Sequence, residues 1–84
     1  MSDLTFDAFI ERLRIAWRVD LPEPIDPVAN LYEDLGVDSF KAFELLIAVE
    51  VIAECLVPPV EIPEIFTLAD SYTYYQSIRE ADEW

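Results

Sequence analysis

Six prolines outline this chain, because a proline inside a helix removes a backbone donor and clashes with the preceding turn. They fall in two groups, Pro22, Pro24 and Pro27, then Pro58, Pro59 and Pro63, and leave three proline-free segments in 84 residues. Helices belong in those segments. A chain of this length makes a single domain over 1–84, near the lower limit of what folds alone. A 54% share of hydrophobic residues gives it the apolar material to do so.

In the first segment Phe6, Phe9, Ile10, Leu13, Ala16 and Trp17 recur at three- and four-residue steps. That spacing predicts an amphipathic helix over 4–18, with Thr5 or Asp3 capping its start. A long loop over 19–37 follows, expected to be pinned by Ile25, Val28, Leu31 and Leu35. The second helix starts at Asp38 or Ser39 and runs to about residue 54, with Ala42, Phe43, Leu46, Val49, Ile52 and Ala53 as its inward stripe. The second proline group leaves room for one short helical turn around 61–65. Thr67-Leu68-Ala69-Asp70 resembles a capping box, with Asp in place of the usual Glu, and opens the last helix. Leu68, Tyr72, Tyr75 and Ile78 form its core face, so that of Tyr72, Tyr74 and Tyr75 two are core and one is surface. The acidic residues over 80–83 read as a fraying end. The expected fold class is all-α: a small antiparallel four-helix bundle, three main helices plus one short helix, with a long first loop.

A net charge of −13 excludes nucleic acid as a partner, since phosphate binding needs clustered Lys and Arg. Membrane insertion is not expected, nor binding to an anionic membrane surface. Self-repulsion keeps such a domain monomeric, and its field speeds encounters with proteins that carry basic patches. One cysteine, Cys55, and no histidine exclude an internal disulfide, a Cys/His zinc site and His-based catalysis. Cys55 reads as a small buried apolar residue. No apolar run has the length of a signal core or a membrane span, so the expected location is cytoplasmic.

Asp38-Ser39 on its own is a helix start, Asp being a good cap and Ser tolerated in the first turn. What a cap leaves unexplained is a long, proline-studded loop that delivers one hydroxyl to the amino end of the most apolar helix. A phosphate ester on Ser39 would be favoured there by unpaired N–H groups and the positive end of the helix dipole.

Asp34-Leu35-Gly36-Val37-Asp38-Ser39-Phe40 resembles the signature of the acyl carrier protein family, Asp-Leu-Gly-x-Asp-Ser-Leu, with Phe40 at the leucine position. The resemblance continues through Leu31, Glu44-Leu45, Glu50, Ile62-Pro63 and Phe66-Thr67-Leu68. It implies that Ser39 carries a covalent 4′-phosphopantetheine arm, attached by a separate phosphopantetheinyl transferase that uses coenzyme A and magnesium. Asp38 then assists the modification by helping to hold the metal, and the domain itself has no catalytic residue and no resident metal. The arm carries acyl intermediates as thioesters between acyl-loading, ketosynthase or acyltransferase-type enzymes of fatty-acid, polyketide or specialised lipid biosynthesis. Aminoacyl carriers share the fold but usually show Gly-Gly-His-Ser or Gly-Gly-Asp-Ser, so Gly36-Val37-Asp38-Ser39 favours acyl cargo.

Partner docking is expected on the helix after Ser39, through Phe40, Lys41, Glu44, Ile47, Glu50 and Val51. Lys41 and Val51 stand where the family often has acids, which reads either as tuning toward dedicated partners or as ordinary surface variation. Ala42, Leu46, Val49, Val57 and Ile65 border either a cleft for the acyl chain or plain core. Two other functions stay open: an unmodified interaction module with the same fold, and an aminoacyl (peptidyl) carrier. A small acid-assisted enzyme would need paired carboxylates in a pocket, and the spacing of Asp34, Asp38 and Glu44 does not compel one.

Overall fold

The computed structural model describes residues 4–17, 21, 25–54 and 64–82, the side chains of Ala81 and Asp82 excepted. Val57, Cys55, the Ile62-Pro63 pair and most of the short turn expected over 61–65 lie outside the described residues. Three helices are present among those described: α1 (Phe6–Trp17), α2 (Ser39–Ile52) and α3 (Leu68–Asp82). None is long and apolar enough to cross a membrane.

Local chemistry sets each start. Thr5 Oγ1 accepts a hydrogen bond from the Ala8 N–H at 3.2 Å and opens α1. Asp38 holds an extended conformation before α2, and its Oδ1 accepts from the Lys41 N–H at 2.8 Å. At α3 the capping box is reciprocal: the Asp70 N–H donates to Thr67 Oγ1 at 3.0 Å, and the Thr67 N–H donates to Asp70 Oδ2 at 3.2 Å. The shorter Asp side chain therefore serves as Glu would. Its Oδ2 also accepts from the Phe66 N–H at 3.0 Å. The acidic end expected to fray is helical as far as Asp82.

The helix directions bear out the expected antiparallel packing for one helix pair and correct it for another. Trp17, at the end of α1, donates its indole N–H to the Lys41 carbonyl near the start of α2 at 2.8 Å, so α1 and α2 run antiparallel. The Tyr74 hydroxyl donates to Glu50 Oε1 at 3.0 Å and Arg79 Nη1 donates to the Ala53 carbonyl at 3.3 Å. Later residues of α3 thus meet the end of α2, while Ile65 and Phe66 share a cleft with Ser39 and Ala42 at its beginning. α2 and α3 therefore run in the same direction.

The core gathers Phe9, Ile10, Leu13 and Trp17 of α1, Leu45, Ala48 and Val49 of α2, and Leu68, Tyr74, Tyr75 and Ile78 of α3. Leu31 and Val37 of the loop join them, whereas Val28, expected to pin that loop, is exposed. Of the expected inward stripe of α2, Val49 and Ala53 are buried and Ala42, Leu46 and Ile52 half-buried, while Phe43 points outward and Leu45 and Ala48 are buried instead. α3 is buried on two sides. Tyr72 and Tyr75 meet Phe9 of α1, and Tyr74 reaches toward α2, so Tyr74 is core and Tyr72 only half-buried.

α2 ends at Ala53, and Glu54 follows with φ of 57°, a left-handed conformation that costs a residue with a Cβ about 1–2 kcal/mol. Glu54→Gly is accordingly expected to raise stability by about 0.5–1 kcal/mol, visible as a rise of a few degrees in the melting midpoint by circular dichroism. An unchanged or lower midpoint would mean that the left-handed cap is not strained.

Candidate modification site and docking surface

The loop before α2 is built from side-chain to backbone hydrogen bonds. Asn30 Oδ1 accepts from the N–H groups of Tyr32 and Glu33, both at 2.9 Å, and Asp34 Oδ2 accepts from the Asn30 N–H at 2.9 Å. These bonds close one turn over 31–34. Its Leu31 side chain is fully buried, and the Leu31 N–H donates to the Phe66 carbonyl at 2.7 Å. The Ala69 N–H donates to the Pro27 carbonyl at 2.9 Å, and Asn30 and Thr67 form an isolated antiparallel bridge. The loop is thereby strapped to the start of α3. Gly36 then turns the chain with φ of 69°; nothing lies within 4 Å of where its Cβ would be, so glycine is required by conformation and not by space.

Each residue of the 34–38 stretch therefore has a local task. Asp34 closes the turn, Leu35 packs on the core, Gly36 bends the chain, Val37 is buried and Asp38 caps α2. Ser39 has none. It is exposed at the first position of α2, and its hydroxyl makes no hydrogen bond among the described residues. The first backbone N–H groups of a helix have no partners within it, so the serine oxygen stands at the positive end of α2.

Beside Ser39 opens a cleft of about 430 Å³, lined by Tyr32, Ser39, Ala42, Phe43, Leu45, Leu46, Glu64, Ile65 and Phe66. Of the residues expected to border a cleft, Ala42, Leu46 and Ile65 line it, Val49 is fully buried in the core behind, and Val57 lies outside the described residues. Sequence spacing missed the aromatic rim. Tyr32 and Phe66 meet edge to face with centroids 6.2 Å apart, and they come together only because the loop is bridged to the start of α3. Phe66 was legible as part of the family motif, but nothing in the sequence paired it with Tyr32.

The outward face of α2 is apolar. Phe40, Phe43, Ile47 and Val51 follow one another at steps of three and four residues and are 68%, 56%, 45% and 65% exposed. On a helix of 3.6 residues per turn, Ser39 and Glu50 border this stripe on one side and Lys41 and Glu44 on the other. The six residues expected to dock partners thus share one face and its margins. Glu50 accepts from the Tyr74 hydroxyl, and Glu44 Oε1 lies 3.4 Å from Lys41 Nζ, so both acids already have partners within the chain. Among the described residues no group of His, Cys, Asp and Glu could hold a metal ion, and the cleft beside Ser39 is lined by none of Asp34, Asp38 and Glu44.

The described residues thus present an exposed serine without a side-chain hydrogen bond at a helix start, beside an apolar cleft and a stripe of exposed apolar side chains. Known proteins similar to the chain in sequence include two acyl carrier proteins. An acyl carrier protein of Campylobacter curvus (strain 525.92) is 29% identical over 72 residues, covering 86% of this chain and 87% of that protein. An acyl carrier protein of Campylobacter fetus subsp. fetus (strain 82-40) is 27% identical over 74 residues, covering 88% and 90%. No family model and no solved structure matches the chain. The two relatives support the resemblance to the acyl carrier protein family read from the 34–40 motif, and with it a carrier role.

Proposed function

We propose that the chain is an acyl carrier protein whose 4′-phosphopantetheine arm is attached at Ser39. The observation that carries this reading is the division of labour in the motif: 34–38 build and hold the bend, and Ser39 alone is left exposed and without a hydrogen bond. A tethered group there is outside the core, its phosphodiester lies at a helix amino terminus, and an apolar cleft is within reach for the cargo. In the modification the Ser39 Oγ–P bond forms as the pyrophosphate link of coenzyme A breaks, the nucleotide part leaves and the hydroxyl proton goes to base. The bound arm supplies a terminal thiol for thioester formation. The chain's own residues position that arm, shield a short acyl group and present α2 to enzymes that load, extend or remove the cargo, in fatty-acid, polyketide or specialised lipid synthesis in the cytoplasm.

Incubation with coenzyme A, magnesium and a broad-specificity phosphopantetheinyl transferase is expected to add one phosphopantetheinyl group to the intact mass. No gain with several transferases would favour an unmodified interaction module of the same fold.

Asp38 carries two duties in this reading, and they separate. Its Oδ1 caps α2, while the rest of the carboxylate faces solvent beside Ser39 and is available to magnesium during transfer. Asn caps as well as Asp does, so Asp38→Asn is expected to melt like wild type yet to be loaded at least about tenfold more slowly. Asp38→Ala should lose both, with about 1 kcal/mol of stability gone. Equal loading rates for Asp38→Asn and wild type would remove the metal role and leave only the cap.

A further inference from the structure

A second recess, of about 370 Å³ and with a lining that is part polar and part apolar, lies between α1 and α2, on the side of the exposed stripe away from the Ser39 cleft. Ile15, Ala16, Ile47, Ala48 and Val51 line it, with Glu44 as one wall. Ile15 is 78% exposed, the highest exposure among the described large apolar side chains, and it carries the apolar surface of α2 across onto α1. An exposed apolar surface shared by two helices and margined by charge is the kind that proteins keep for an interaction.

Charge decides between possible occupants. A second copy of the chain would bring another −13 to the contact, and self-repulsion opposes it. Glu44 adds a specific demand. Its Oε1 is shielded from solvent and has no hydrogen bond, the Lys41 ammonium at 3.4 Å giving it charge but no hydrogen bond. A basic side chain that arrives with a partner would add a hydrogen bond to a carboxylate whose charge the Lys41 ammonium already balances and whose side chain is 39% exposed. The fitting occupant is an apolar side chain with an Arg or Lys next to it.

We propose that this groove receives such a pair of side chains from the transferase that modifies Ser39, so that docking runs from the outward face of α2 onto α1. The inference rests on the carrier reading and extends it to Ile15, which lies on α1 and outside the 34–40 motif. The groove residues of α2 lie 5 to 12 positions after Ser39, about 8–18 Å along the helix at 1.5 Å per residue, within the footprint of an enzyme whose active site holds the serine.

The test measures initial loading rates of the full chain by intact mass, with coenzyme A and a phosphopantetheinyl transferase, for wild type, Ile15→Glu, Ile15→Leu, Phe40→Glu and Val28→Glu. Val28 is 75% exposed on the loop and serves as the control for an added charge. Ile15→Glu is expected to lower kcat/KM about tenfold through KM, with kcat near wild type, because a charge replaces an apolar contact at an interface. Ile15→Leu and Val28→Glu should load at wild-type rates, and all variants should melt together, since Ile15 lies outside the core. If Ile15→Glu loads like Val28→Glu while Phe40→Glu is slowed, docking is confined to α2 and the groove proposal is overturned with the carrier reading intact. If wild type itself gains no mass, the carrier reading falls and the groove proposal falls with it.

Discussion

Ser39→Ala is expected to abolish phosphopantetheinyl loading completely while leaving the melting midpoint where it is in wild type. Both halves follow from the same geometry. The hydroxyl makes no hydrogen bond among the described residues and the side chain is exposed, so its removal should change stability by no more than about 0.5 kcal/mol. Asp38 stays in place to cap the helix through the Lys41 N–H. No other described serine can substitute for it. Ser71 is fully buried and its hydroxyl donates to the Leu68 carbonyl at 2.6 Å, and Ser77, although exposed, sits in the middle of α3 without a helix terminus or a cap beside it. Intact mass with and without transferase reads the first half and a thermal melt the second. A variant that still gained the group would place the attachment elsewhere and end the Ser39 assignment.

Phe9→Ala should have the largest effect on the fold. Phe9 is fully buried, and its ring lies 5.4 Å from Tyr72 and 5.3 Å from Tyr75, which stack on each other at 5.9 Å. The same tyrosines clasp the chain before α1: Tyr75 Oη accepts from the Leu4 N–H at 3.0 Å and Tyr72 donates to the Leu4 carbonyl at 2.7 Å. Truncating a buried Phe costs about 3–5 kcal/mol, and aromatic pairs add about 0.5–1.5 kcal/mol beyond area. A chain of 84 residues has about 4–13 kcal/mol in total at 0.05–0.15 kcal/mol per residue. The variant should therefore melt more than about 12 °C lower, or not fold at 25 °C. Val28→Ala, at an exposed loop position, should be within about 0.5 kcal/mol of wild type. A small shift for Phe9→Ala would mean that α1 and α3 are not held together through this cluster.

Much of this was legible without coordinates because it depends on neighbours in sequence. The amphipathic pattern from Phe6 to Trp17, the Asp38 cap and the Thr67-Asp70 box are local matters, decided over three or four residues by backbone donors that need an acceptor. The face of α2 was legible only in part. Apart from Ser39, Lys41, Glu44 and Glu50 that helix is apolar on every side, so its pattern holds no preference for burying Leu45 and Ala48 over Phe43. The second packing side of α3 that takes Tyr74 was not legible, because periodicity marks one stripe per helix and α3 is used on two.

The candidate site divides along the same line. The order of residues by itself determined that a bend, a cap and a serine would follow one another, since Gly36, Asp38 and Ser39 act through their own backbones and the next turn. Only the tertiary structure decided what surrounds that serine. The bridge from Asn30 to Thr67 brings Tyr32 to Phe66 at the cleft, and the packing of α1 and α3 on α2 turns Phe40, Phe43, Ile47 and Val51 outward beside Ile15. The physical reason is that capping is satisfied within a turn of chain, whereas the choice of which apolar face to bury depends on which partner surfaces are within reach once the helices meet.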